Sequence, residues 1–171
     1  MKTILLAEDD ASVRTMVGRV LESEQYRVVF AATGAEAASK FITRPPDLVL
    51  LDLNLPEKDG WEAWRLMSFW RSLVPVIVIT ARSHQYELAV RNKIDALMEK
   101  PLDLPVLLDA IQSLLAEPRE AHAARVSQPG FKTLRLNATD HARERKAERR
   151  GGIEPAEWRY PAAQRGEEKE E

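Results

Sequence analysis

The sequence contains no cysteine, which excludes disulfide bonds, zinc sites with thiolate ligands and a cysteine nucleophile. It has no apolar stretch near the ~20 residues that a membrane-spanning helix requires. The apolar run Ile4–Ala7 is too short for the core of a secretory signal. We therefore expect a soluble, cytoplasmic protein that has no membrane partner.

The chain also lacks a strong excess of charge, since 25 Lys and Arg residues are matched by 27 Asp and Glu residues. The net charge of −2 gives no general attraction to nucleic acid, so nucleic acid is not expected as the main partner. Aromatic residues are only 6% of the chain. Several of them fall on one predicted helix and are interpreted mainly as core packing with partial exposure, the alternative being a partner surface: Trp61, Trp64, Phe69 and Trp70.

Apolar residues make up 44% of the sequence, and up to about residue 117 they alternate between two patterns. Short, mostly apolar runs predict buried strands at Thr3–Ala7, Arg27–Ala31, Leu48–Leu51, Val76–Ile79 and Ala96–Glu99. Helical spacing predicts helices at Ser12–Leu21, Gly34–Ile42, Trp61–Phe69, His84–Arg91 and Leu104–Leu115. Strand–helix units joined by short connections predict an α/β fold, with a parallel sheet covered by helices on both faces.

Polar side chains follow or end four of the predicted strands. Glu8 and Asp9 follow the first strand, Asp52 follows the third, Thr80 follows the fourth, and Lys100 follows the fifth. The carboxyl ends of parallel strands share one edge of a sheet, where ligands bind at the point at which the strand order reverses. We therefore expect these side chains to meet in one crevice.

The residue types in this crevice indicate phosphoryl transfer. Carboxylates are the oxygen ligands that Mg²⁺ prefers, and without a cation they raise one another's pKa. Asp9 and Asp52 are candidate direct ligands, and Glu8 is a candidate ligand through water. Lys100 is expected to pair with Asp52 at rest and with a phosphoryl oxygen later, while Thr80 offers a hydroxyl. A nucleophilic carboxylate among such groups suits a reaction that depends on positioning and charge neutralisation.

Four separated motifs occur in a specific order: Glu8-Asp9, Asp52 within LDLNLPEKDG, Thr80-Ala81, and Lys100-Pro101. In these motifs the chain resembles the response-regulator receiver domain of two-component signal transduction, over about residues 1–117. The resemblance implies a doubly wound, flavodoxin-like sheet of five parallel strands in the order 2-1-3-4-5. It also implies a cis peptide bond before Pro101.

The resemblance further implies that the protein is a phosphoacceptor switch and not an enzyme acting on other substrates. Asp52 would accept a phosphoryl group from a histidine kinase or a histidine phosphotransfer protein, Thr80 would move toward it, and Lys100 would bind it. The Mg²⁺ ligands would be Asp9, Asp52 and the backbone carbonyl of Asn54, with Glu8 assisting. The surface of the fourth helix, fifth strand and fifth helix would meet a downstream protein or, in a homodimer, a second copy.

The chain departs from the family pattern at several positions. Glu8 replaces the commoner Asp, and Leu97 occupies the position of a switching Tyr or Phe, so an aromatic rotamer cannot report movement of Thr80. The segment between Thr80 and Lys100 is short and lacks a glycine near Lys93. The fourth helix is therefore expected to be short or mobile.

From residue 118 the composition becomes charged, with little apolar material and no sustained periodicity. We expect residues 118–171 to form an extension that is largely disordered or partly helical, without a recognisable output domain. The run Arg143–Arg150 is interpreted as a solvated helical face. No metal-ligand spacing relates the three histidines, which are expected at the surface: His84, His122 and His141.

Three alternatives remain open from the sequence. The first is a pseudo-receiver that only binds partners. The second is a regulator whose basic tail binds nucleic acid, and the third is an aspartyl-phosphate hydrolase. The hydrolase class has a second acid two residues after the nucleophile, where this sequence has Asn54. The complete set of Asp52, Thr80 and Lys100 argues against a receiver without phosphoacceptor chemistry.

Overall fold

The fold is a parallel sheet between helices, and the computed structural model describes it for residues 1–70 and 73–136. The strands are β1 (Thr3–Ala7), β2 (Arg27–Ala31), β3 (Leu48–Asp52), β4 (Val76–Thr80), β5 (Ala96–Glu99) and β6 (Leu134–Leu136). Every pairing is parallel, in the order β2-β1-β3-β4-β5-β6. The order predicted for the first five strands is confirmed, and β6 extends the sheet beyond β5.

The helices cover both faces, as predicted. They are α1 (Ala11–Ser23), α2 (Gly34–Thr43), α3 (Gly60–Trp70), α4 (Tyr86–Arg91), α5 (Leu104–Ala116) and α6 (Arg119–Ser127). Alternate strand residues point to opposite faces, so Leu5, Val49 and Val78 pack in one core with α2 and α3. Leu6 and Ile77 pack in the other core, with α1 and α5. Burial on both faces explains why β1, β3 and β4 are continuously apolar.

The turn before α1 places the first acids at the edge of the sheet. Asp10 is the N-cap of α1, and its carboxylate accepts hydrogen bonds from the amides of Ser12 at 2.8 Å and Val13 at 2.9 Å. Such a cap satisfies amides that have no partner within the helix. Glu8 and Asp9 are thereby confined to the short link between β1 and α1.

The fourth helix is short, as expected from the sequence. α4 has only 6 residues, and no side chain caps its N-terminus. Lys93, which follows it, has a φ of 56°, in the left-handed region that glycine occupies at lower cost. Lys93, near the position where a glycine was expected, thus adopts a backbone conformation that glycine favours.

The predicted aromatic cluster divides between core and surface. Trp64 is buried on α3, and its indole donates to the carbonyl of Asn92 at 3.1 Å. Phe69 and Trp70, at the end of the same helix, are 85% and 63% exposed. The division agrees with the interpretation of core packing with partial exposure, and the alternative of a partner surface at Phe69 and Trp70 stays a prediction.

The structure continues beyond the boundary expected near residue 117, because α6 and β6 follow α5. The expectation of five strands is corrected to six, and the described part of the extension is ordered against β5. His122 is buried on α6, so its predicted surface position is wrong, whereas His84 is exposed. His141 and Arg143–Arg150 lie outside the described residues. Within residues 1–70 and 73–136, no helix combines the length and the apolar character needed to cross a membrane.

Asp47 joins the start of β1 to the loop before β3, and this contact predicts a pH dependence of stability. Its carboxylate accepts from the Thr3 amide at 2.7 Å and the Lys2 amine at 3.0 Å. Burial raises the pKa of Asp47, but these two donors outweigh burial and leave it below the ordinary 3.8. The stabilisation is therefore complete above the unfolded pKa and is lost as the pH falls through the folded pKa.

We expect Asp47→Asn to lower the free energy of unfolding at neutral pH by about 1 kcal/mol. The difference from wild type should shrink toward zero near pH 3, and urea titrations across this range measure it. Glu22→Gln, at an exposed position on α1, is the control. A difference for Asp47→Asn that is independent of pH would contradict the assigned ion pair.

Candidate functional site

The three predicted acids lie together at the carboxyl edge of the sheet. One carboxylate oxygen each from Glu8, Asp9 and Asp52 can be chosen so that all lie within 4.8 Å of one another. The register explains this, because Ala7 at the end of β1 pairs with Leu51, the residue before Asp52. The link after β1 and the end of β3 are thus neighbours.

The amine of Lys100 lies between two of these acids. Lys100 Nζ is 2.6 Å from Asp52 Oδ2 and 2.9 Å from Glu8 Oε1. Asp52 is 1% exposed and Glu8 is 0% exposed, so water compensates little for either charge. Ionised groups at such depth require a partner, and Lys100 provides it. The sequence predicted the contact with Asp52 but not the contact with Glu8, which the longer Glu side chain makes available.

The ionisation of Glu8 and Lys100 depends on their burial and on the charged groups that they contact. Burial raises the pKa of the Glu8 carboxyl above 4.5 and the nearby Asp52 charge adds to this, although Lys100 opposes the rise. Burial by itself lowers the pKa of the Lys100 amine, but its hydrogen bonds to Asp52 and Glu8 leave that pKa above 10.5. Lys100 is therefore an ammonium at neutral pH.

One oxygen of Glu8 is available to a further ligand. Lys100 Nζ lies 2.8 Å from Glu8 Oε2, but only the bond to Oε1 has hydrogen-bond geometry. Among the described residues, Oε2 is thus a buried acceptor without a hydrogen-bond donor. Asp9 is exposed beside it. A buried carboxylate oxygen in an all-oxygen cluster fits a hard cation such as Mg²⁺ or a water bound to it.

The loop after β3 folds back onto Asp52, and a glycine makes this possible. Asp52 Oδ1 accepts from the Asn54 amide at 2.9 Å, and the Gly60 amide donates to the Leu53 carbonyl at 3.1 Å. A Cβ at Gly60 would lie 2.4 Å from the Asp52 carbonyl oxygen, which no side chain tolerates. Gly60 therefore closes the loop that holds Asp52.

Thr80 occupies the end of the neighbouring strand. It is 0% exposed, and Asp52 pairs with Ile79, the residue before it. Its hydroxyl accepts from the Arg82 amide at 3.0 Å, and its carbonyl accepts from the Lys100 amide at 2.8 Å. The expected cis bond between Lys100 and Pro101 is present. The ends of β4 and β5 are thus joined directly at the site.

Arg82 is a site residue that the sequence analysis did not identify. Its Nε donates to Asn54 Oδ1 at 2.5 Å, and its guanidinium lies 3.7 Å from Asp59. It therefore connects the loop after β4 to the loop after β3. No motif distinguishes an arginine at this position from a solvated one, so only the geometry identifies it.

Removal of the Lys100 ammonium is expected to lower the stability of the fold. We expect Lys100→Met to lower the free energy of unfolding near pH 7 by about 3 kcal/mol, because two buried carboxylates then face each other. Burial and the Asp52 charge already raise the pKa of the Glu8 carboxyl, and it should rise further without the ammonium that opposes them, so the loss should shrink as the pH falls toward 4. Urea titration measures it, with the exposed Lys132 replaced by Met as the control. A pH-independent loss would show that packing, not charge, is responsible.

Comparison with known proteins identifies a family that this chain matches. A model of the response regulator receiver domain matches residues 4–112. The transcriptional regulatory protein YxdJ of Bacillus subtilis is 33% identical over 127 residues, covering 73% of this chain and 55% of that protein. The KDP operon transcriptional regulatory protein KdpE of Escherichia coli is 35% identical over 124 residues, covering 72% and 54%. The chain spans about half the length of these curated relatives.

Solved structures agree with the fold. A receiver domain protein from Methanospirillum hungatei is similar with a TM-score of 0.66 and 30% identity, covering 70% of this chain and 97% of that chain. The response regulator TrrA of Thermotoga maritima, solved in complex with Mg²⁺ and BeF, has a TM-score of 0.62 and 29% identity. That match covers 67% of this chain and 99% of that chain.

Proposed function

Since the chain belongs to the response-regulator receiver domain family, we propose that Asp52 is the phosphoacceptor of a signalling switch. The observation that supports this best is the buried Asp52 carboxylate, with the Lys100 amine at 2.6 Å and the oxygens of Glu8 and Asp9 beside it. The arrangement provides a nucleophile, a fixed cation and cation ligands in one crevice. The switch modifies itself and has no other substrate.

The transfer step is a displacement at phosphorus. A carboxylate oxygen of Asp52 forms the new O–P bond as the N–P bond of a phosphohistidine breaks, and the histidine imidazole leaves with the electron pair and takes up a proton. Lys100, which neutralises Asp52 at rest, then pairs with a phosphoryl oxygen. Thr80, buried at the end of β4, donates its hydroxyl to another phosphoryl oxygen.

The residues present fit Mg²⁺ at this site. Asp9, Asp52 and the backbone carbonyl of Asn54 would bind it, and Glu8 would contact it through water. When bound, Mg²⁺ neutralises the charge on the transferred phosphoryl group. Glu8 and Lys100 also limit the access of water to Asp52, because both lie against its buried carboxylate.

The proposed partners are a histidine kinase or histidine phosphotransfer protein as donor and a downstream protein as target, in the cytoplasm. The curated relatives are transcriptional regulatory proteins and are about twice as long, so the target of this chain stays a prediction. A homodimer through the face of α4, β5 and α5 also stays a prediction. β6 occupies the edge of β5, and such a dimer would therefore bury β6.

The alternatives have less support. The contact between Asp52 and Lys100 supports a phosphoacceptor site, which a pseudo-receiver does not require. Nucleic-acid binding through Arg143–Arg150 concerns residues outside the described ranges, and no observation favours it. We therefore do not propose either.

The central prediction concerns covalent modification. Incubation with acetyl phosphate and Mg²⁺ should add one phosphoryl group that is labile in base, detectable as a mass increase of the intact protein. Asp52→Asn should abolish the increase because the amide is not a nucleophile, whereas Asp59→Asn, in the same loop, should retain it. Labelling of Asp52→Asn at the wild-type level would end the proposal.

A second prediction concerns the metal ligands. Asp9→Asn should weaken Mg²⁺ binding by about tenfold or more, because a charged oxygen ligand is lost. Titration calorimetry measures the affinity. Asp10→Asn is the matched control. The Asp10 carboxylate accepts hydrogen bonds from the first amides of α1, and Asn can cap a helix in the same way. Equal affinities for both variants would remove Asp9 from the ligand set.

A further inference from the structure

The edge of β5 is closed by a segment of the same chain, residues 118–136, which we name the β5 cover. It contains α6, a connecting loop and β6. β6 runs parallel to β5, with Leu134 opposite Ala96 and Leu136 opposite Met98. The Leu134 amide donates to the Asp95 carbonyl at 2.9 Å, and Leu136 is 2% exposed in the core. β5 is therefore an internal strand, although it would be an edge strand without the cover.

The buried carboxylate of Asp95 binds side chains of the β5 cover at the start of β5. Asp95, the residue before β5, is 4% exposed. Its Oδ1 lies 2.9 Å from His122 Nε2 and accepts from the Arg125 guanidinium at 2.7 Å, while its Oδ2 accepts from the Val76 amide at 2.9 Å. Arg125 also donates to Glu117 at 2.8 and 3.0 Å. Because the Asp95 carboxylate contacts three groups at once, the position of α6 relative to the start of β5 is well defined.

The β5 cover also contacts the segments around α4. The ring of Phe131, 7% exposed, has the Lys93 amine 5.0 Å from its centroid. The Arg135 guanidinium lies 3.9 Å from the ring centroid of Tyr86, the first residue of α4. Both are cation–π contacts. The β5 cover thus joins β5 to both ends of α4.

These contacts connect the β5 cover to the site by short, continuous paths. β5 ends at Glu99, and the next residue, Lys100, supplies the amine on Asp52 and Glu8. The loop that precedes Tyr86 begins at Thr80, whose carbonyl accepts the Lys100 amide. The cover therefore touches the two chain segments that carry the groups expected to bind a phosphoryl oxygen.

We propose that the β5 cover is a positioning element for Lys100 and is coupled to ligand binding at Asp52. Pairing with β6 on its far side restricts the movement of β5 and of Lys100, which follows it, so less conformational freedom is lost when Lys100 binds a ligand. Binding is then stronger to the covered state, and by reciprocity it stabilises the cover. Leu97, which pairs with Arg135, does not need to be aromatic for this coupling. The inference rests on the proposed role of Asp52.

The test uses the full chain with Mg²⁺ and beryllium fluoride, a mimic of the phosphoryl group that is not transferred. Amide NMR shifts of the loop after Asp52 report binding, and hydrogen exchange of the Leu134 amide reports the cover. We expect bound beryllium fluoride to slow exchange at Leu134 by about fivefold or more. Asp52→Asn should show neither the shifts nor the slower exchange.

The reciprocal arm weakens the β5 cover and measures the site. Arg125→Ala should accelerate exchange at Leu134 and weaken the affinity for beryllium fluoride by about fivefold or more. Arg119→Ala, at an exposed position of the same helix, should change neither. Arg125→Lys should give intermediate values, because Lys keeps the charge but not the fork of donors. Leu134→Pro removes the amide donor to Asp95 and the leucine side chain, and it restricts the backbone of β6. It should weaken the affinity in the same direction as Arg125→Ala.

The outcomes separate this inference from the proposed function. If beryllium fluoride shifts the loop but leaves exchange at Leu134 unchanged, or if Arg125→Ala opens the cover without loss of affinity, the cover is only structural and the inference is overturned. If wild type shows no loop shifts at all, the proposed role of Asp52 fails, and the inference fails with it. Unchanged amide shifts of β1 in each variant confirm that the fold is retained.

Discussion

The site depends on one buried contact, in which the Lys100 ammonium lies between the carboxylates of Asp52 and Glu8. Two carboxylates without exposure to water repel each other strongly, and the ammonium makes their burial tolerable. The same contact holds the proposed phosphoacceptor beside the amine that is proposed to bind the phosphoryl group. The proposed chemistry and the folding stability thus depend on the same three side chains.

The sheet makes this contact possible because it is a rigid frame with a fixed register. Each of the three residues lies at the end of a different strand or directly after it, and a shift of one residue in any pairing would move its side chain away. The surrounding loops are held by local devices: the cap at Asp10, the close approach at Gly60 and the bridge by Arg82. On the far side of β5, the segment anchored at Asp95 turns an edge strand into an internal one.

The sequence predicted the first five strands well because each is a short apolar run ended by polar or turn-forming residues. It did not predict β6, which has 3 residues and no periodicity to detect. It did not predict α6 either, because the buried residue on that helix is His122 and not an apolar stripe. The buried His122 side chain contacts Asp95, and such a contact between distant residues leaves no pattern along the chain.

What the sequence determined by itself was the fold class, the strand order implied by the family resemblance, and the acids and lysine that share one edge. These follow from apolar periodicity and from motifs, which are local properties of the chain. Only the tertiary structure decided that Glu8 shares the Lys100 amine, that Arg82 joins two loops, and that residues 118–136 close the edge of β5. These features are contacts between distant residues, and their existence depends on distances that no local pattern specifies.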